Sequence, residues 1–234
     1  MTASHPLDNP VRASLAGPHA RFAEGRGRVR RYPGDVCPFL ALPDEPDAAD
    51  WADAAALAGP GATLVLAAVE VRPPAGWTVE AFMEGVQLTG ERVAGAADPE
   101  AVPLGSADVP EMLELAQRTK PGPFLPRTVE MGRYLGIRRG GALVAMAGER
   151  LHPAGWTEIS AVCTDADWRG RGLGTRLVLA VVAGVQARGE TPFLHAVRTN
   201  VTAIRLYEQL GFQLRKATAF SVSRVPADQL DAAR

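Results

Sequence analysis

The sequence predicts an α/β (α+β) protein with an antiparallel run of strands at its centre, and three observations carry that expectation. Tyr134–Arg139 and Ala142–Arg150 flank Gly140-Gly141, a hairpin signal between two apolar runs. Glu158–Thr164, reading EISAVCT, is a third apolar, β-branched run, and it feeds a glycine-rich turn that opens an amphipathic helix. Phe193–Val197 repeats the strand-to-helix order, with Asn200 as N-cap of the next helix and Gly211 as its left-handed stop.

Composition sets the outer bounds. The 234 residues carry a net charge of −1, with 47% apolar and 22% charged residues, an ordinary balance for a folded globular chain. This balance predicts no broad attraction to nucleic acid or to a membrane surface. No apolar run approaches the length of a membrane span and no signal peptide opens the sequence, so a cytoplasmic protein is expected. Cys37 and Cys163 read as buried free thiols, and no metal-ligand spacing joins them to the four histidines.

Taken in order, residues 10–24 read as a short helix and Arg28–Tyr32 as a strand. Asp35–Leu42 reads as a loop, and Asp50–Leu57 as a helix with Asp47 or Asp50 as N-cap. Ala62–Val71 is a buried strand by its continuous apolar character. Residues 78–89 fit helix and strand equally. The arginines at 21, 26, 28, 30 and 31 lie among acidic residues with few aromatics, which suits a solvated face. Residues 90–101, GERVAGAADPEA, suit a linker, and a boundary there divides a divergent α/β domain, 1–100, from a second domain, 101–234. The strand–helix rhythm before the linker suggests that the first domain is a shrunken relative of the second.

Beyond the linker, Asp108–Thr119 reads as a helix capped by Asp108, and the proline-rich 120–128 as an irregular loop. After the three strands, Leu173–Arg188 places Leu173, Leu177, Val181 and Val185 on one stripe and packs on a sheet. Phe212–Leu214 and Phe220–Val225 read as closing strands.

The turn Arg169-Gly170-Arg171-Gly172-Leu173-Gly174 is a generic anion cradle, because glycines let the backbone approach a ligand at the positive end of a helix. A phosphate loop of the Gly-Lys-Ser/Thr kind is excluded, since that ending is absent. A dinucleotide fingerprint is excluded because its third glycine comes one residue early and no acidic residue stands at the required distance. The pattern that fits is Arg/Gln-x-x-Gly-x-Gly/Ala, met by Arg169, Gly172 and Gly174. It resembles the pyrophosphate loop of the GNAT superfamily of acetyl-CoA-dependent N-acetyltransferases. The run Asn200-x-x-Ala203-x-x-Leu206-Tyr207-x-x-x-Gly211-Phe212 is similar to the second signature of the same family and stands at the usual distance after the loop.

The resemblance covers about residues 102–225. It implies a mixed, mostly antiparallel sheet, flanked by helices and splayed between the strand ending at Thr164 and the parallel strand 193–197, with acetyl-CoA in the gap. It also puts the backbone of Val162, Cys163 and Thr164 against the pantetheine arm and the acetyl carbonyl. The N–H groups of Gly170, Arg171, Gly172, Leu173, Gly174 and Thr175 would cradle the pyrophosphate, with added charge from Arg169 and Arg171. Tyr207 is implied as the acid that protonates the leaving sulfur, which the motif around it favours over the competing reading of a core tyrosine on the apolar helix face. Asn200 is implied as a contact to the pantetheine or to a bound water and also reads as an N-cap, and the two roles are compatible.

Glu158 and His195 compete for general base. Glu158 stands six positions before Thr164, where several family members carry a glutamate, and His195 stands on the other splayed strand with a pKa range suited to the task. The expected reaction is direct acetyl transfer in a ternary complex to a primary amine of a small metabolite, an amino-acid derivative or a protein N-terminus. Expected partners are therefore acetyl-CoA and an amine, without a metal, with monomer and homodimer both open. The alternatives are an inactive acyl-CoA-binding regulatory protein, against which Tyr207 and Glu158 weigh, and another acyl or aminoacyl transferase on the same fold.

Overall fold

The computed structural model describes residues 5–227. Helix α1, Pro10–Ala16, starts with proline where no N–H is needed and with Asn9 accepting from the Arg12 N–H. The Gly17-Pro18 pair ends it early, so the helix expected over 10–24 becomes seven residues and a separate turn at Ala20–Phe22. Strands β1 (Glu24–Arg26), β2 (Val29–Arg31) and β3 (Leu40–Ala41) form a small antiparallel sheet. Helix α2, Ala48–Ala58, uses both candidate caps: the Asp47 and Asp50 side chains bond each other's backbone N–H in a capping box. Arg26, Arg28 and Arg31 pair with Asp53, Asp47 and Glu24, the solvated, ion-paired face expected of this segment.

The strands of the main sheet are β4 (Thr63–Ala67), β5 (Thr78–Thr89), β6 (Val102–Leu104), β7 (Tyr134–Arg139), β8 (Ala142–Glu149), β9 (Trp156–Thr164), β10 (Thr191–Val197) and β11 (Gln213–Arg224). The helices between them are α3 (Val109–Thr119), α4 (Leu173–Gln186) and α5 (Val201–Gln209). The order is β4-β11-β5-β10-β9-β8-β7-β6, with β9 and β10 as the parallel neighbours. Leu177, Val181 and Val185 of α4 pack with Ile159, Leu194 and Ala196 on one face of this sheet. Alternation along β10 sends Phe193 to the other face, where it joins Leu7, Val11 and Leu15 from the N-terminal segment. Helix α3 covers that same side further along, through Met112 and Leu115 against Met146 and Cys163.

The expected linker does not separate two sheets. Strand β5, the segment that fits helix and strand equally by sequence, lies between β10 and β11 and pairs antiparallel with both. The first hundred residues thus divide their strands between the small sheet and the main one, and they complete the central sheet rather than repeating it. Two other expectations are corrected. The two closing strands are a single strand, β11, with a register shift between Leu214 and Lys216 that bulges Arg215 out of the ladder. Asp108 does not cap α3 with its side chain; it accepts from the Gly105 N–H and pairs with Arg138. Cys37 lies in the turn ahead of β3, and both cysteines are free and buried. Among the described residues no helix is long and apolar enough to cross a membrane.

Candidate active site

The site begins where two parallel strands part. β9 and β10 pair at Thr191–Trp156, Pro192–Thr157 and Phe193–Glu158, and there the pairing stops. Beyond that point β10 stays on β5 as far as Val197, and β9 stays on β8 as far as Thr164. The edge of β9 after Glu158 therefore has no strand partner on its β10 side, a costly condition for backbone groups unless a ligand or water meets them. A bulge deepens the parting. Ala147 of β8 stands against two residues, Ala161 and Val162, and Ala161 has a left-handed φ of 53°. A non-glycine residue there costs roughly 1–2 kcal/mol, and such bulges often re-aim backbone at functional sites.

The opening is a cleft of about 690 Å³. Val162, Cys163 and Thr164 line one wall, and Asn200 and Tyr207 line the other. Arg169, Gly170, Gly172, Leu173, Gly174 and Thr175 close the end where α4 begins. Gly170 and Gly172 have φ of 74° and 73°, which lets the chain turn sharply from β9 into the first turn of α4. Gly172 holds the N-cap position and no side chain caps the helix, so the first N–H groups of α4 are left for an anion.

Individual side chains add detail. Arg169 donates from Nε to the Thr164 carbonyl at 3.3 Å. Arg171 does not line the cleft; its guanidinium stacks 4.5 Å from the centre of the Trp168 ring. Asn200 accepts from the Ala203 N–H at 3.2 Å, so it caps α5 while facing the cleft. Burial pushes the Tyr207 hydroxyl up to about 12 and the Cys163 thiol up to about 11. Both groups therefore carry their protons at neutral pH.

Glu158 and His195 come together, but behind the cleft rather than on its wall. His195 Nδ1 lies 2.7 Å from Glu158 Oε1, and both side chains are almost wholly buried. Arg150 also bonds both carboxylate oxygens and, despite the cost of burial, holds the Glu158 carboxyl far below its ordinary range. The rings of Phe193 and Phe220 stand edge-on to the imidazole. Sequence reading passed over three participants. Arg150 follows directly on the mostly apolar strand β8, Gln87 lies in the unsettled segment, and Lys120 lines the cleft just past α3 in a left-handed conformation. Of these, only Lys120 was signalled, by the Pro-Gly beside it.

A sheet split between parallel strands, with a glycine turn and a helix N-terminus at the mouth of the split, is an α/β arrangement suited to an extended ligand that ends in an anionic group. The comparisons with known proteins agree. The FR47-like protein family matches residues 134–221. A GNAT-family putative acetyltransferase from Novosphingobium aromaticivorans is 41% identical, and the alignment covers 94% of this chain and 98% of that one with a TM-score of 0.86. The chain belongs to the GNAT family, a family of acyltransferases. A GCN5-related N-acetyltransferase from Kribbella flavida, 18% identical, shares the fold over 96% of this chain and 97% of its own at a TM-score of 0.60. A mycothiol acetyltransferase from Thermobispora bispora is 37% identical over 83 residues, 32% of this chain. That stretch spans 28% of the length of this curated relative.

Proposed function

We propose that the protein transfers the acetyl group of acetyl-CoA to a primary amine, directly, in a ternary complex. The observation that carries this reading is the convergence of unpartnered β9 backbone, the glycine turn and Tyr207 on one cleft. In this reading the pyrophosphate lies on the N–H groups of Gly170–Thr175, and the pantetheine arm runs along Val162–Thr164 as a substitute strand. One N–H of that stretch faces the thioester oxygen as negative charge develops on it. The amine nitrogen attacks the carbonyl carbon, the carbon–sulfur bond breaks, and the Tyr207 hydroxyl gives its proton to the departing sulfur. The proton lost by the amine passes to the Glu158–His195 couple through water, since neither side chain is exposed. Cys163 borders the same cleft, but a thiol held protonated is a poor nucleophile, which favours direct transfer over an acyl-cysteine. The two buried free thiols agree with a reducing, cytoplasmic setting.

The test is a screen of amines for acetyl-CoA-dependent release of free thiol, with product identified by mass. Metabolite amines, amino-acid derivatives and peptides with free N-termini should separate the acceptor classes. A protein that acetyl-CoA stabilises against heat, yet that acetylates no amine, would be a binding protein instead.

A further inference from the structure

Gln87 stands opposite His195 across the β5–β10 ladder, and its side chain is fully buried. Three contacts decide which end of its amide is which. Arg215 Nη1, a donor only, lies 2.8 Å from Gln87 Oε1. The Leu7 carbonyl, an acceptor only, lies 2.9 Å from Gln87 Nε2. The second hydrogen on that nitrogen is left for His195 Nε2, 2.9 Å away. That ring nitrogen must therefore accept. On the other side of the ring, Arg150 keeps the Glu158 carboxylate ionised, so His195 Nδ1 must donate to it. An imidazolium would set an N–H against the Gln87 N–H.

We infer that Gln87 is a positioning residue that holds His195 as the neutral Nδ1–H tautomer, its Nε2 lone pair accepting from the amide. The clamp is built from parts distant in sequence. The β11 bulge aims Arg215 at the amide, and Arg215 Nη2 is in turn held by Asp8 at 2.8 Å. Leu7 and Asp8 belong to the N-terminal segment, so the first residues of the chain set the state of a ring between the splayed strands. Glu158 of β9 faces the imidazole, Arg150 just past β8 grips Glu158, and Tyr32 and Cys37 stand behind them from the N-terminal segment. The inference rests on the proposed reaction only for its consequence: the couple takes up an amine proton at Nε2, the ring nitrogen that Gln87 keeps unprotonated.

The experiment is nitrogen-15 spectroscopy of the histidine rings of the full chain across pH, with His195 assigned through His195→Gln. In the unsubstituted protein Nδ1 should appear protonated and Nε2 unprotonated at pH 7. Gln87→Glu replaces the donor facing Nε2 with an acceptor, and should move ring protonation upward by about one pH unit or more. Arg215→Met frees the amide to rotate and should move it in the same direction, which keeps the test intact should Gln87→Glu fail to fold. A doubly protonated ring in the unsubstituted protein, or titration unmoved in both variants, would overturn the inference. The pH profile of kcat is read beside it. If ring titration moves and the acid limb of kcat does not, Gln87 still positions His195, and it is the base assignment that fails.

Discussion

Arg150 grips Glu158 with two parallel hydrogen bonds of 2.8 Å, Nε to Oε2 and Nη2 to Oε1, in a setting closed to solvent. Breaking such a buried pair from one side typically costs roughly 3–5 kcal/mol, because it strands the other charge. Glu158→Gln should therefore lose stability of about that size in urea unfolding at pH 7. Arg150→Lys should not rescue the fork, since an ammonium cannot bond both oxygens in plane. The sign with pH comes from the depressed carboxyl: its contribution is present above the unfolded carboxylate range and fades as pH falls through it. Glu158→Gln should flatten the acid side of the stability curve. An unchanged acid slope would show that the pair does not couple folding to protonation.

Strand β5 makes a second prediction. Without it, β10 and β11 would lose the neighbour that both pair with, along five and eleven register positions respectively. A fragment of residues 101–234 should consequently fail to fold cooperatively, although it contains the glycine turn and Tyr207. Circular dichroism and heat melting decide this: a sharp transition in the fragment would establish the second half as an independent domain.

These two cases mark where the sequence stopped being legible. The hairpin at Gly140-Gly141, the α4 stripe and the Asn200 cap are local patterns, in which neighbours in sequence determine neighbours in space. The glycine turn was legible for the same reason, whereas the splayed sheet was implied by the family resemblance and by no local pattern. What escaped reading is long-range. In TVEAFMEGVQLT the apolar residues match neither period cleanly, because one half of β5 is buried on the core and the other half is exposed. Gln87 and Arg150 have unremarkable neighbours in sequence, and their importance arises from partners 108 and 8 residues away. The Arg215 bulge lies in the mixed run QLRKATA, which interrupts the apolar pattern so that one strand reads as two.

Tyr207 allows a sharper kinetic test than the screen. Tyr207→Phe removes the proton donor but keeps the ring packed beside Phe212. It should lower kcat by about 10²-fold or more, the usual contribution of a general acid, and leave the affinity for acetyl-CoA nearly intact. Because burial pushes the hydroxyl up to about 12, loss of its proton should not limit kcat at any pH below about 11. Isothermal titration with acetyl-CoA and single-turnover rates separate binding from chemistry. Turnover equal to that of the unsubstituted protein would reduce Tyr207 to a core residue.

His19 ties the N-terminal segment to the turn before β7 and should make that tie sensitive to acid. Its Nδ1 is 2.9 Å from the Tyr32 hydroxyl and its Nε2 is 2.9 Å from the Met131 carbonyl, which suits a neutral ring. Burial, with the His152 ring only 4.9 Å away, lowers its pKa to about 4. A histidine depressed in the folded state binds its proton more readily when unfolded. The stability it supports is therefore complete above pH 6.5 and declines as pH falls toward 4. Between pH 7 and pH 5 this one ring should remove about 2 kcal/mol of stability. Urea unfolding at the two pH values measures the loss, and His19→Gln, which can still bond both partners but does not titrate, should remove most of it. An equal loss in the variant would place the acid sensitivity elsewhere, with His152 the next group to substitute, since burial lowers its pKa too.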